Sequence, residues 1–89
     1  MFRMVVQDVF HIQRRGLVAS GRVESGELRV GDEVRINDGP AVRVDAIEAR
    51  RKIVDVVQVG DEVGLLFKSL TKADIASGDV VKSSGYFLA

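Results

Sequence analysis

The chain contains no cysteine and no tryptophan, and only one proline and one histidine. Each scarcity removes a class of answer. Without cysteine there is no disulfide framework and no thiol chemistry, as is usual in the cytosol. The lone His11, between Phe10 and Ile12, has no clustered His or Cys to share a metal with, and the serines have no histidine at a useful spacing. His11 reads as a strand residue facing solvent or a neighbouring side chain. No G-x-x-x-x-G-K-[ST] loop is present, so the chain is no GTPase by itself. Net charge is absent too, with 13 basic residues against 13 acidic ones. That balance excludes a protein that coats nucleic acid by bulk electrostatics, though not a small basic patch. The opening Met1-Phe2-Arg3-Met4-Val5-Val6-Gln7-Asp8 meets polar residues too early for a signal peptide. No apolar run approaches the ~20 residues needed to cross a bilayer. The expectation is a cytoplasmic, noncatalytic domain with no membrane contact, no metal and no cofactor.

What is present is β-branched. Among 89 residues, 16 Val and 5 Ile outnumber 6 Leu, and such side chains favour the pleated strand. Nine glycines supply turn positions with φ > 0. The length is that of one domain, large enough to bury roughly 60–65% of its unfolded surface. The composition predicts an all-β fold.

Along the chain, Phe2 to Ile12 reads as a long first strand and Leu17 to Ser25 as a second, joined by the corner Gln13-Arg14-Arg15-Gly16. Glu27 to Val30 is a short extended piece. Glu33 to Asn37 alternates strictly, with Val34 and Ile36 inward. Asp38-Gly39-Pro40 is the clearest hairpin signal. Ala41 to Ala49 reads as one strand, with Val42, Val44 and Ala46 on one side and Arg43, Asp45 and Ile47 on the other. Ile53 to Val59 is another extended segment. Glu62 to Leu70 is apolar enough for a strand buried on both faces. Thr71 to Ile75 predicts one helical turn, with Thr71 and Asp74 as a capping box. Val80-Val81-Lys82 is the last strand, so the domain spans 1–82 and a tail 83–89 follows. Short strands with turn signals every eight to twelve residues predict a closed barrel of six or seven strands.

Val30-Gly31-Asp32-Glu33-Val34 recurs as Val59-Gly60-Asp61-Glu62-Val63, with a truncated copy at Gly78-Asp79-Val80. A duplicated acidic loop is one reading. Turn chemistry is the simpler one: glycine takes φ > 0, aspartate bonds the nearby backbone and valine opens the next strand. Two basic groups also stand out, Arg14-Arg15 and Arg50-Arg51-Lys52. Guanidinium forks suit phosphate oxygens, so the two brought together would form a modest anion site. Charges that merely blunt strand ends are the alternative.

From about Val5 to Val81 the chain resembles the second domain of the translational GTPases, the barrel that follows the GTP-binding domain in elongation factor Tu. The resemblance rests on Asp8-Val9-Phe10 with Ile12, Arg15-Gly16 with Val18, Gly21-Arg22-Val23-Glu24-Ser25-Gly26, and Val30-Gly31-Asp32-Glu33-Val34. It continues with Ile47-Glu48, Arg51-Lys52, Gly60-Asp61, Val63-Gly64-Leu65, Asp74-Ile75 and Gly78-Asp79-Val80. It implies a site for the aminoacylated 3′ end of tRNA. In that site Ile12, Val18 and Leu66 would pack on the terminal adenosine, Glu48 would hydrogen-bond it, and Arg51 would lie near the terminal phosphates and ribose. Asp8, Phe10 and Ser20 would line the amino-acid side. Such a set suits a single-stranded end: an apolar shelf, an acceptor and a cation. The chain departs from the family's usual pattern at Gln7 (usually Glu), Glu62 (usually Asn), Arg14 (usually Gly) and Leu17 (usually Thr). The family's amino-acid pocket also needs the GTPase domain. The partners implied are tRNA or another RNA, a GTPase domain or a ribosomal protein. The alternative is a protein-interaction or scaffold barrel that docks a partner through Arg14, Arg15 and Tyr86-Phe87-Leu88.

Overall fold

A ten-residue hairpin arm, β1 (Arg3–Ile12) against β2 (Gly16–Ser25), organises everything else. The computed structural model describes residues 1–83, so the expectations for Tyr86, Phe87 and Leu88 lie outside the described residues. After the arm come β3 (Glu27–Arg29), β4 (Glu33–Ile36), β5 (Ala41–Arg43) and β6 (Ala46–Ala49). Then follow β7 (Lys52–Val54), β8 (Val56–Gln58), β9 (Glu62–Phe67) and β10 (Val80–Ser83). All pairings are antiparallel. Eight strands form one sheet in the order β5-β4-β10-β1-β2-β9-β6-β7, and β3 and β8 form a two-stranded ribbon.

Alternation explains the core. Along β2, Leu17, Ala19 and Val23 are buried, and along β9 Val63, Leu65 and Phe67 are. Phe2, Met4 and Val6 of the first segment, Leu28 and Val57 of the ribbon, and Val34, Ile47 and Val81 meet them in one cluster. Each fully buried Leu or Phe there contributes about 1.5–3 kcal/mol of burial free energy.

β1 does not alternate cleanly. Its register against β2 shifts between Val6, opposite Gly21, and Asp8, opposite Ser20, leaving Gln7 as a bulge. The Gln7 carbonyl accepts the Ser77 hydroxyl at 2.7 Å, and the Val6 carbonyl accepts the Gly78 N–H at 2.8 Å. Inward parity therefore passes from Met4 and Val6 to Val9, and Asp8, Phe10 and Ile12 turn outward.

Two expected strands are broken. Ala41–Ala49 splits into β5 and β6 because Val44 leaves the sheet: its N–H donates to the Asp32 carbonyl and its carbonyl accepts the Gly31 N–H, each at 2.9 Å. Asp45 then bonds the Leu66 carbonyl and accepts the Lys68 N–H. Parity changes at this kink, so Ile47, expected on the same side as Arg43 and Asp45, is buried, and Ala46, expected with Val44, is only half-buried. Ile53–Val59 likewise divides at Asp55, whose carbonyl accepts the Val30 N–H. These breaks raise the strand count above the expected six or seven.

Thr71–Ile75 makes a turn rather than a helical turn. The Asp74 carboxylate accepts the Thr71 N–H at 2.7 Å, as a capping box would, but Ile75 plugs the core and the chain goes no further as a helix. At the β4–β5 hairpin the left-handed residue is Asn37 (φ 56), ahead of Asp38-Gly39. β10 runs through Ser83, whose hydroxyl accepts the Phe2 N–H at 3.0 Å.

The repeated Gly-Asp corners are three copies of one turn. Gly31, Gly60 and Gly78 have φ of 92, 92 and 94. In each, the aspartate carboxylate accepts the N–H three residues earlier (Arg29, Gln58 and Ala76) at 2.9 Å. These carboxylates are occupied by their own turns, the simpler of the two readings.

Candidate nucleic-acid interface

The outward faces of β1, β2, β9, β6 and β7 build one surface in two cross-strand rows. Asp8 pairs with Ser20, Ser20 with Gly64, Gly64 with Glu48, and Glu48 with Ile53. Phe10 pairs with Val18, Val18 with Leu66, and Leu66 with Ala46. Ile12 follows Phe10 on the same face. Side chains two apart along a strand share a face, so seven of the residues singled out by resemblance project from one side of one sheet.

Two depressions mark that surface. The larger, an open groove of about 540 Å³, includes Phe10, Ile12, Val18, Ser20, Glu48 and Arg51 in its lining. The smaller, about 70 Å³, lies between Ile12, Arg15, Val18, Glu48, Ile53 and Leu66. Thus Ile12, Val18, Glu48, Arg51 and Leu66 are gathered at one place, with Phe10 and Ser20 beside them. Asp8 shares the outward row but does not line either depression, and its carbonyl accepts the Ser20 hydroxyl. Arg15 lines the smaller depression, whereas Arg14 sits at the apex of the β1–β2 corner without lining it.

The floor and walls differ in character. Leu66 is 6% exposed and forms the floor, while Phe10 (52%), Ile12 (38%) and Ile53 (67%) stand into solvent. A flat base or another apolar group would cover these side chains. Among the described residues neither Glu48 nor Arg51 takes part in an ion pair; Arg50 instead meets Asp61 at 3.4 Å. The Glu48 carboxylate and the Arg51 guanidinium therefore remain open to a ligand.

The arginines sit on unusual backbone. Arg50 and Arg51, the two residues between β6 and β7, have φ of 54 and 66, and Arg14 has φ of 68. A two-residue hairpin turn with φ > 0 at both positions favours Asn-Gly. Arginine there costs about 1–2 kcal/mol per residue. The two basic corners do not come together as one anion site. Arg50-Arg51 stands beside Glu62 at one end, and the Arg14-Arg15 corner at the other, where the following Gly16 lies against Phe67 and Lys68.

Two contributors went unrecognised in the sequence. Ile53 is set opposite Glu48 by the tight β6–β7 turn. Gly64 forms the bare floor between Ser20 and Glu48. A two-residue corner at Arg50-Arg51 was the signal that could have located Ile53. His11 is exposed near the end of β1.

An antiparallel all-β module with an apolar, acid-and-base-flanked groove on its outer face is the class this geometry defines. Residues 16–81 match the family described as Elongation factor Tu domain 2, and the chain belongs to that family. Its fold is also similar to part of a solved bacterial selenocysteine-specific elongation factor. That likeness has a TM-score of 0.85 at 21% identity, covering 93% of this chain and 14% of the other.

Proposed function

We propose that the chain is a noncatalytic translation-factor module whose groove contacts the end of an RNA, a tRNA 3′ end foremost. The carrying observation is the convergence of Ile12, Val18 and Leu66 with Glu48 and Arg51 at one place on the sheet. The apolar shelf would take a base, Glu48 would accept from its exocyclic donor, and Arg51 would meet a backbone phosphate. The selenocysteine-specific elongation factor supports a setting in translation, and hence the cytoplasm, with a GTPase domain or ribosomal protein as further partners. The noncatalytic reading is supported by the groove's openness, since burial is one of the main ways an acid or base is tuned for catalysis. Closure of the strands into a barrel belongs to the same reading. It is supported by the single core shared by the sheet and the ribbon, and by backbone bonds that tie Val44 to the Gly31–Asp32 corner and Asp45 to Leu66.

Since the family's pocket needs a second domain, the expected affinity is near 10⁻⁴ M at physiological salt. Backbone NMR during titration with aminoacylated and deacylated tRNA tests the proposal. Shifts are expected at Ile12, Val18, Glu48, Arg51 and Leu66, and their absence at near-millimolar RNA would end it.

A second reading is favoured by one observation: Phe10 and Ile12 on β1 and Ile53 on β7, an edge of the sheet, are large apolar side chains exposed on the same outer surface. A protein partner would cover it through a salt-insensitive contact. Sedimentation at two ionic strengths separates the readings, because RNA binding falls with salt and apolar docking does not.

A further inference from the structure

The groove has an arginine corner at each end: Arg50 and Arg51 line one end, and Arg15, next to Arg14 at the apex of the β1–β2 corner, lines the other. We infer that it takes a single-stranded RNA running through it, with phosphates gripped on both sides of the central base, rather than an RNA end alone. This rests on the RNA reading above, whose base shelf it shares, and adds a second phosphate contact at Arg14 and Arg15.

Three observations carry it. First, the two corners are separated by the length of β9. Gly16 lies against Lys68, just past Phe67, while Arg50 pairs with Asp61, just before Glu62. Six strand residues at about 3.3 Å each put the ends about 20 Å apart. That span suits a run of about four nucleotides, the short end of single-strand sites on small β-barrels.

Second, among the described residues neither Arg14, Arg15 nor Arg51 has an acidic partner within 4.0 Å. At the Arg50-Arg51 end Arg50 meets Asp61 and Glu62 lies alongside, so the unmatched cations are Arg51 at that end and Arg14 and Arg15 at the other. Two carboxylates line the groove, Glu62 at the Arg50-Arg51 end and Glu48 between the two ends, which disfavours an acidic peptide and leaves Glu48 well placed for base donors.

Third, the described chain holds four non-glycine residues at positive φ, and three of them are Arg14, Arg50 and Arg51. Glycine or asparagine would relieve each of these corners. Side chains kept where the backbone disfavours them point to a use outside the fold.

The test uses labelled single-stranded RNAs read by fluorescence anisotropy at several salt concentrations. One set ends at an adenosine, and the other carries the same adenosine internally with three further nucleotides on its 3′ side. The internal set is expected to bind several-fold tighter, with a log K against log salt slope steeper by about 0.7 for each added phosphate contact. The Arg14→Gly variant should lose that advantage while leaving binding of the terminal set unchanged. Its Tm should not fall, because a left-handed residue has been replaced by glycine, and a rise of about 4–8 °C is expected. A folded control, Arg3→Gln at the other end of β1 from Ile12, should bind both sets as the parent does.

Equal binding of both sets, or an unchanged preference in Arg14→Gly, overturns the inference while leaving the RNA-end reading intact. Failure of both sets to bind overturns both. Equal affinity for a polyglutamate of similar length would assign the arginine corners to acidic peptide instead, and so also overturns it.

Discussion

Gly64 lies directly opposite Glu48 across the β9–β6 pairing, so the space beside the carboxylate is left open by a missing side chain. A Cβ built on Gly64 would come 3.1 Å from Cγ1 of Val18, in the middle of the apolar shelf. A side chain here would intrude into the groove, and the φ of Gly64 is not in the left-handed range that would require glycine for backbone reasons.

Gly64→Ala is accordingly expected to keep the fold, since only a methyl group must give way, while weakening RNA binding several-fold. Thermal melting and an RNA titration on the same sample check this. An unchanged affinity would mean that the ligand does not reach the Ser20–Gly64–Glu48 row.

Two other glycines separate steric from backbone cost. In Gly21→Ala the new Cβ would lie 2.4 Å from the Val5 carbonyl oxygen and 2.9 Å from Met4 Cγ. Backbone cannot yield there, and a loss of about 1–3 kcal/mol is expected. In Gly31→Ala nothing lies within 4 Å, but φ is +92, so the loss should be about 1–2 kcal/mol from conformation alone. Gly31→Asn should then recover part of it, and Gly21→Asn should not. Denaturant melts of the four variants decide the matter.

The three Gly-Asp turns predict similar behaviour from distant positions, Asp61 having in addition the exposed 3.4 Å contact with Arg50. Asp32→Ala, Asp61→Ala and Asp79→Ala each free one backbone N–H that is now bonded at 2.9 Å. Each should cost about 1 kcal/mol, with asparagine at the same site costing less because its carbonyl oxygen can still accept. A much larger effect at one site, measured by chemical denaturation, would single that turn out for a role beyond chain reversal.

Asp38 gives a pH prediction. The Lys82 ammonium donates to it at 2.9 Å. That hydrogen bond, then the charge of Lys82, holds the carboxyl below its ordinary value of 3.8. The unfolded chain therefore takes up the proton more readily. The pair's contribution is present above pH 3.8 and is lost as pH falls through the lower folded-state value. An NMR titration should give Asp38 a midpoint below 3.8, and Lys82→Met should raise it. A midpoint indifferent to that substitution would show that the pair does not form in solution.

Much of the molecule was legible before any coordinates. β-Branched composition announced an all-β chain, and the Gly-Asp corners announced their turns, because each depends on residues adjacent in sequence. Alternation within single strands also placed Val34 and Ile36 correctly. Where the chain kinks, that local rule failed. At Asp45 parity reversed and Ile47 went inward, since Val44 found backbone partners at Gly31 and Asp32 rather than along its own strand.

By itself, then, the order of residues determined the all-β class, the turn chemistry and the family. Tertiary structure decided where the working surface lies. The bulge at Gln7 turned Phe10 and Ile12 outward, the tight Arg50-Arg51 corner set Ile53 against Glu48, and pairing to β9 sent the arginine corners to opposite ends. The reason is range. Turns and alternation are settled by neighbours a few residues apart, whereas register and bulges are settled by packing between segments tens of residues distant.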